Sequence, residues 1–474
     1  MRDELVRRFE DFGTRTALFD RGTAVSYADL LGRIRDTRDL LARHGVAPRE
    51  AVIVHGDYSP ASVAALFALF LNSNVVVPVV TLTDKTLDTL VEHCRPSHLI
   101  RTTDNGIEVQ ALGPPATGTG PGAAAGAVGG AGTGAVHRRL GDEDAAGLVL
   151  LSSGSTGAPK VILHSLDALV GEKLGKRARR RANALNILMV LMFDHIGGIN
   201  SLLSTLLVGG TAVLPHHRTP DEICALIERH KILVLPTSPT FLNLIMVGDY
   251  HRTYDLSSLR LITYGTEPMS EELLQRVNRT FPGVRLLQTF GTSETGIATT
   301  TSESSSSTYF RISDAAVEYR IVDGELQLRS RTQFLGYLNY KDDALTEDGW
   351  FRTGDLVEEG ADGYLRIKGR AKEVINVGGE KLLPLELESV LLTSPLVEDC
   401  VVYGKPNAIT GQSVCVDIKP KGELTRRALR EHVAEFLADK VEPFKVPSKI
   451  NVVGTIAMSD RLKKVRSRPG ADGE

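Results

Sequence analysis

A chain of 474 residues exceeds what one ordinary hydrophobic core organises, so two or three packed units are expected. Its formal net charge of −3, with acidic and basic residues interspersed, gives no global electrostatic pull toward nucleic acid or an anionic membrane, which favours a small-molecule substrate. The four cysteines, Cys94, Cys224, Cys400 and Cys415, are scattered without metal-ligand spacing or the density of a disulfide framework, and read as reduced thiols.

The N-terminal MRDELVRRFEDFG mixes charges and lacks the apolar core of a signal peptide, and the apolar run Ala61 to Leu71 is too short to span a bilayer. A cytoplasmic protein with neither membrane nor nucleic-acid partner is expected. Short β-rich runs then alternate with amphipathic segments: AVIVHG before SPASVAALFALFLN, and NVVVPV before TDKTLDTLVEHC. The Gly/Ala/Pro/Thr-rich stretch from Gly113 to Ala135 has too little large apolar content to pack and reads as a surface excursion without chemistry. The rhythm resumes with GTAVLP, DEICALIERHK, ILVLPTSP, LRLITYG and SEELLQRVNRTF, which is the pattern of an α/β fold. Open parallel sheets bind ligands at strand C-terminal ends, so the loops after these runs are where chemistry is expected. Hairpin-like strands follow, DGELQLRS and DGYLRIKGR, and then a compact tail. A boundary near Gly369 gives a large domain, 1–369, and a small α+β domain, 370–474.

From Leu148 to Lys160 the chain reads LVLLSSGSTGAPK, an apolar strand running into glycines and hydroxyls and ending in a lysine. Glycines let backbone N–H groups converge on an anion, Ser152, Ser153, Ser155 and Thr156 add hydroxyls around Gly154 and Gly157, and Lys160 adds positive charge. The spacing departs from G-x-x-x-x-G-K-[ST], so this is not the common P-loop. The competing reading, a Ser/Gly linker, fits poorly between an apolar strand and the Lys-Val-Ile-Leu run that follows.

LSSGSTGAPK resembles the phosphate-binding signature of the adenylate-forming superfamily, which includes acyl-CoA synthetases, carrier-protein adenylation domains and luciferases. TYGTEPMS (263–270), QTFGTSETG (288–296) and FRTGDL with DGYLRIKGRAKEVINVGGEKLLPLELE (351–388) follow in the family's order. The resemblance covers the chain from about residue 148 onward. It implies a large layered domain with a small mobile C-terminal domain, ATP and Mg²⁺ as cofactors, and a small-molecule acid as substrate. The acceptor it implies is a thiol, of CoA or of the phosphopantetheine arm of an acyl carrier protein.

The resemblance also assigns residues. Glu294 would be the Mg²⁺ ligand, with a surface carboxylate as the alternative; magnesium takes one or two carboxylates together with phosphate oxygens and water. Ser293 stands where a phosphate-contacting threonine is usual, beside Gly291 and Thr292. Phe290 replaces the usual tyrosine, which keeps a stacking surface for adenine but no hydroxyl. Gly265, Thr266 and Glu267 would line the adenine, Asp355 would accept the ribose hydroxyls unless it is a turn residue, and Ile367 and Arg370 would assist there.

The family's C-terminal Gly-Lys pair reads Leu462-Lys463 in SDRLKKVRSR, which makes Lys463 the catalytic lysine, bridging carboxylate and α-phosphate; Lys464 competes for that role. Lys372 matches the hinge about which the small domain rotates between two half-reactions, and Gly378 and Gly379 match the thiol channel. In LMFDHIGGIN, His195 resembles an aromatic gate residue. Asp194 is either a ligand for a substrate amino group or a structural cap. Gly198, with Gly197, would leave room along a pocket completed by Ser238 and Tyr264, suiting a flat or elongated acid. Three functions stay open: a thiol-acylating ligase; a relative with a non-thiol partner, such as an amide ligase or a nitrite-activating, diazo-forming enzyme acting on an aryl amine; and a silent nucleotide-binding relative.

Overall fold

The computed structural model describes residues 1–103, 106–113, 136, 138–141, 144–152, 159–175, 185–340, 344–422, 424–459 and 464–466. It falls into two compact units, Met1–Pro236 with Gly291–Ile297 and Arg329–Thr346, and Thr237–Phe290 with Ala298–Leu328 and Glu347–Glu474. Nearly all of the surface excursion expected from Gly113, its residues 114–135, lies outside the described residues.

In the first unit the apolar runs become the centre of a seven-stranded sheet. Its order is Gly336–Tyr337, Lys160–Ser165, Gly147–Ser152, Val75–Val79, Ala51–His55, His98–Thr103 and Gly106–Ala111. Ala51–His55 pairs in parallel with both Val75–Val79 and His98–Thr103, so it must be buried on both faces, which is why AVIVH and VVVPV are continuous rather than alternating. Helix Pro60–Leu71 starts on a Ser59 cap with proline in its first turn, and its interior from Ser62 to Phe70 is buried. Burying rings such as Phe67 and Phe70 contributes roughly 1.5–3 kcal/mol each. They pack with Phe9 and Phe12 of helix Arg2–Phe12 and Tyr27 of helix Tyr27–Arg43 in the largest core cluster. Asn186–Leu188, Thr211–Leu214, Thr16–Asp20 and Thr23–Ser26 form a further run of paired strands in this unit.

The second unit carries the parallel pair Leu261–Tyr264 and Arg285–Gln288. It also carries a six-stranded sheet in the order Thr300–Ser302, Phe310–Ile312, Leu365–Arg370, Phe351–Glu359, Glu325–Ser330 and Val317–Val322. From Ile375 onward a separate sheet forms around the long hairpin Val397–Asn407 and Gly411–Pro420, backed by helices Pro384–Leu392 and Arg426–Leu437 and filled by its own core. The α/β class expected from the alternation is what the structure shows. Among the described residues no helix is long and apolar enough to cross a membrane.

Candidate active site

Lys160 opens the strand Lys160–Ser165, directly opposite Ser152 at the end of Gly147–Ser152. The antiparallel register therefore pins both ends of the candidate phosphate loop. Ser153, Gly154, Ser155, Thr156 and Gly157 themselves lie outside the described residues. The other edge of Lys160–Ser165 is taken by Gly336–Tyr337, and Asn339 ties the two segments: its side chain accepts from the Val161 N–H at 2.8 Å and donates to the Pro159 carbonyl at 2.7 Å.

This pairing brings Tyr337, 177 residues away in sequence, onto the site. Lys160 Nζ donates to the Tyr337 hydroxyl at 3.3 Å and lies 4.5 Å from the ring centre, while the same hydroxyl donates to Glu294 Oε1 at 2.8 Å. Glu294 is held by the turn Thr292–Thr295, whose two threonine hydroxyls bond each other and the turn's backbone. The Phe334 N–H donates to the Glu294 carbonyl at 2.6 Å, and buried His164 bonds the Ser293 carbonyl through Nε2 at 2.6 Å. Burial holds the His164 imidazole below its ordinary value, partly offset by that carbonyl and by Glu294. Gly291 is glycine because a Cβ there would stand 2.2 Å from the Gly296 carbonyl oxygen.

Among the described residues no group of three or more His, Cys, Asp or Glu could hold a metal by itself. A single half-buried carboxylate beside a lysine nevertheless fits magnesium, which arrives with phosphate and keeps several waters.

The proposed acid-binding residues of this unit are more committed to structure than the sequence suggests. Asp194 Oδ2 accepts from the Val80 N–H at 3.0 Å, anchoring the end of strand Val75–Val79, and the cap position of helix Ile196–Leu206 belongs to His195, whose side chain makes no cap bond. The room expected at Gly198 is filled by protein: a Cβ there would meet the Met192 carbonyl oxygen at 1.9 Å and the Tyr58 hydroxyl at 2.7 Å. Gly198 is thus a close-packing glycine, and the expectation of open space there is corrected.

In the second unit Ser238 caps helix Pro239–Val247, accepting from the Phe241 N–H, and Glu267 accepts from the Thr240 N–H at 2.7 Å. Gly265 is required by packing, since a Cβ would lie 2.5 Å from Thr289 Oγ1. The exposed Thr266 holds φ of 70°, a left-handed conformation costly for a β-branched residue and the kind of strain that gathers at binding loops. Tyr264 is 1% exposed and burial raises its phenol. Phe290 stacks on Phe310 at 5.7 Å inside a small core that Ile367 adjoins. Asp355 is 4% exposed and paired across the strands with Arg370, Nε to Oδ1 at 2.7 Å, while Arg370 Nη1 also donates to the Thr353 carbonyl. These two residues form one preorganised unit rather than two separate contacts.

Lys372 is exposed on the short turn Ala371–Glu373. Gly378 and Gly379, at φ 63° and 99°, form the two-residue turn between Ile375–Val377 and Glu380–Leu382, the backbone such a hairpin demands. Lys463 and Leu462 lie outside the described residues. Lys464 is firmly placed: its ammonium donates to Asp399 Oδ1 at 2.5 Å and to the Cys400 carbonyl at 2.8 Å. Burial alone would lower this lysine, but Asp399 and then Glu388 more than offset it and hold it above its ordinary value. Next to it Arg466 makes a two-pronged pair with buried Glu388. Tyr337, His164 and the Asp399–Lys464 pair escaped the sequence reading because each partner lies more than 60 residues away, with no periodicity to announce it.

Residues 5–340 match the family model described as AMP-binding enzyme, and residues 386–463 match the AMP-binding enzyme C-terminal domain. Among curated proteins, an indoleacetate–CoA ligase of Aromatoleum aromaticum is 30% identical over 322 residues, 64% of this chain and 62% of that protein. A 2,3-dihydroxybenzoate–AMP ligase of Bacillus subtilis is 31% identical over 326 residues, 64% of this chain and 60% of that protein. The match thus spans about three-fifths of these relatives' length. Among solved structures, an anthranilate CoA ligase bound to anthranoyl-AMP superposes with TM-score 0.78 at 19% identity, covering 98% of this chain and 95% of that one. An amide bond synthetase of Marinactinospora thermotolerans superposes with TM-score 0.75 at 20% identity, covering 97% of each chain. At those identities the likeness speaks for the fold.

Proposed function

The chain belongs to the AMP-binding enzyme family, and from that premise we propose that it activates a carboxylic acid with Mg-ATP as an acyl-adenylate and passes the acyl group to a thiol. The observation that carries the reading is the joining of Lys160 and Glu294 through one phenolic hydroxyl, which brings the expected phosphate-binding cation and the expected metal-binding carboxylate of two separate motifs to the same place. An aryl or arylalkyl acid is favoured, because the similar curated proteins are named for indoleacetate and dihydroxybenzoate.

In the first step a carboxylate oxygen attacks the α-phosphorus and the bond to the bridging oxygen of pyrophosphate breaks. Lys160 steadies the phosphates, Glu294 would hold magnesium, and the Asp355–Arg370 pair receives the ribose hydroxyls. Bound Mg²⁺ would neutralise phosphate charge. Lys463 bridges the carboxylate and the α-phosphate. In the second step the thiol sulfur attacks the acyl carbon, AMP leaves, and the thiol proton passes to solvent. The exposed hinge residue Lys372, with the small domain beginning near Arg370, would let one site serve both steps.

The competing acceptor is an amine, favoured by the similarity of fold to an amide bond synthetase. The test is pyrophosphate release from Mg-ATP across aryl, arylalkyl, fatty and amino acids, with mass spectrometry of products with CoA or with an amine. Release that depends on an acid, together with a CoA thioester, upholds the reading. An amide as sole product moves the chain to the second class, and release with no acid would sink the activation step.

A further inference from the structure

Tyr337 lies outside the motifs quoted above, yet it sits between Lys160 and Glu294. It is 2% exposed, its carbonyl accepts from Arg139 Nη1 at 2.9 Å, and its ring packs edge-on against Phe334 at 4.9 Å. The hydroxyl is therefore held in place by the fold rather than by its polar neighbours. It donates its proton to Glu294 Oε1 and accepts from Lys160, while the ring face adds a cation–π contact to the same ammonium.

Among the described residues Lys160 and Glu294 make no direct ion pair, and the Tyr337 hydroxyl is the sole hydrogen-bond partner of the Glu294 carboxylate. A lysine and a glutamate this close, with no spacer, would collapse onto each other. Each would then have to be pulled from its partner before meeting phosphate or metal, a cost set against ligand binding. A neutral phenol avoids this: it orients both groups and neutralises neither.

We propose that Tyr337 is a positioning residue for Mg-ATP, keeping Glu294 free for the metal and Lys160 free for phosphate. This rests on the adenylating reading given above. The experiment is calorimetric binding of ATP, with and without Mg²⁺, to wild type, Tyr337→Phe, Glu294→Gln and the double variant, with thermal melts on each. Tyr337→Phe keeps the ring face beneath Lys160 but removes the hydroxyl, and with it both the donor to Glu294 and the longer 3.3 Å bond from Lys160. It is expected to cut the magnesium-dependent gain in affinity by roughly tenfold while leaving magnesium-free ATP binding within about twofold, as loss of one charge-assisted hydrogen bond implies. In the Glu294→Gln background the same change should cost nothing further. Equal losses with and without magnesium, additive losses in the double variant, or no loss would each overturn the proposal. Should Tyr337→Phe melt early, Tyr337→Trp, which keeps a donor on an aromatic ring, is expected to retain part of the magnesium gain, and its full loss would count against the positioning role. A wild-type protein that binds no ATP would instead refute the nucleotide reading itself, which separates the two failures.

Discussion

In the first unit a lysine and a glutamate are kept apart by a phenol; in the second, Lys464 and Arg466 sit directly on Asp399 and Glu388. The distinction lies in what else each charge can reach. Glu294 and Lys160 are half-buried, each retaining capacity for a ligand. Glu388, 3% exposed, is consumed by Arg466 and by the Val402 N–H, and Asp399 by Lys464 and the Asn243 side chain. Direct ion pairs in a buried setting fix structure, whereas charges held at one remove stay available for chemistry. Of two adjacent lysines, Lys464 belongs to the first kind.

The sharpest way to break this contrast is Glu388→Ala, which takes the two-pronged partner from Arg466 and leaves it the 3.4 Å pair with Glu373, and should destabilise the protein by about 3 kcal/mol in denaturant unfolding. A cost under about 1 kcal/mol would show that the pair is not structural. Glu388 also gives the contrast a pH signature. Burial pushes its carboxyl up, but Arg466, Lys464 and the Val402 N–H together more than reverse this and hold it below its ordinary value. A depressed carboxylate stabilises above its unfolded value and loses that contribution as pH falls, so wild type should weaken below about pH 4.5 more steeply than Glu388→Gln.

Similar in size, Lys464→Ala should cost about 3 kcal/mol by leaving Asp399 unpaired, whereas Lys463→Ala should leave stability unchanged and abolish acid-dependent pyrophosphate release. The reverse pattern would exchange their roles. Gly198→Ala follows at about 1–3 kcal/mol, since its methyl would overlap the Met192 carbonyl, and circular-dichroism melts would register it. Smallest in stability is Glu294→Ala, within about 1 kcal/mol by the same melts, yet magnesium should then no longer strengthen ATP binding.

Much of this was legible from local pattern. The apolar runs at 51–55 and 75–79, alternating with amphipathic segments, read as strands of an α/β fold, and they are parallel neighbours in the first unit's sheet. The motifs at 148–160, 288–296 and 351–388 named Lys160, Glu294 and Asp355, because anion and metal binding need particular side chains close together in sequence. What the linear chain could not carry is how those charges are partnered. Gly198 reads as open space in sequence but as a packing contact once the Met192 carbonyl and Tyr58 are folded against it. Arg370 reads as an independent ligand until strand register sets it on Asp355. Tyr337 carries no signal in the linear chain, and it joins the site only when sheet order lays Gly336–Tyr337 beside Lys160–Ser165. Sequence by itself determined the kinds of element and the identity of the chemical groups, since both depend on local spacing. Tertiary structure alone decided which charges are neutralised and which are kept available, because that depends on partners set by strand register and sheet order rather than by local spacing.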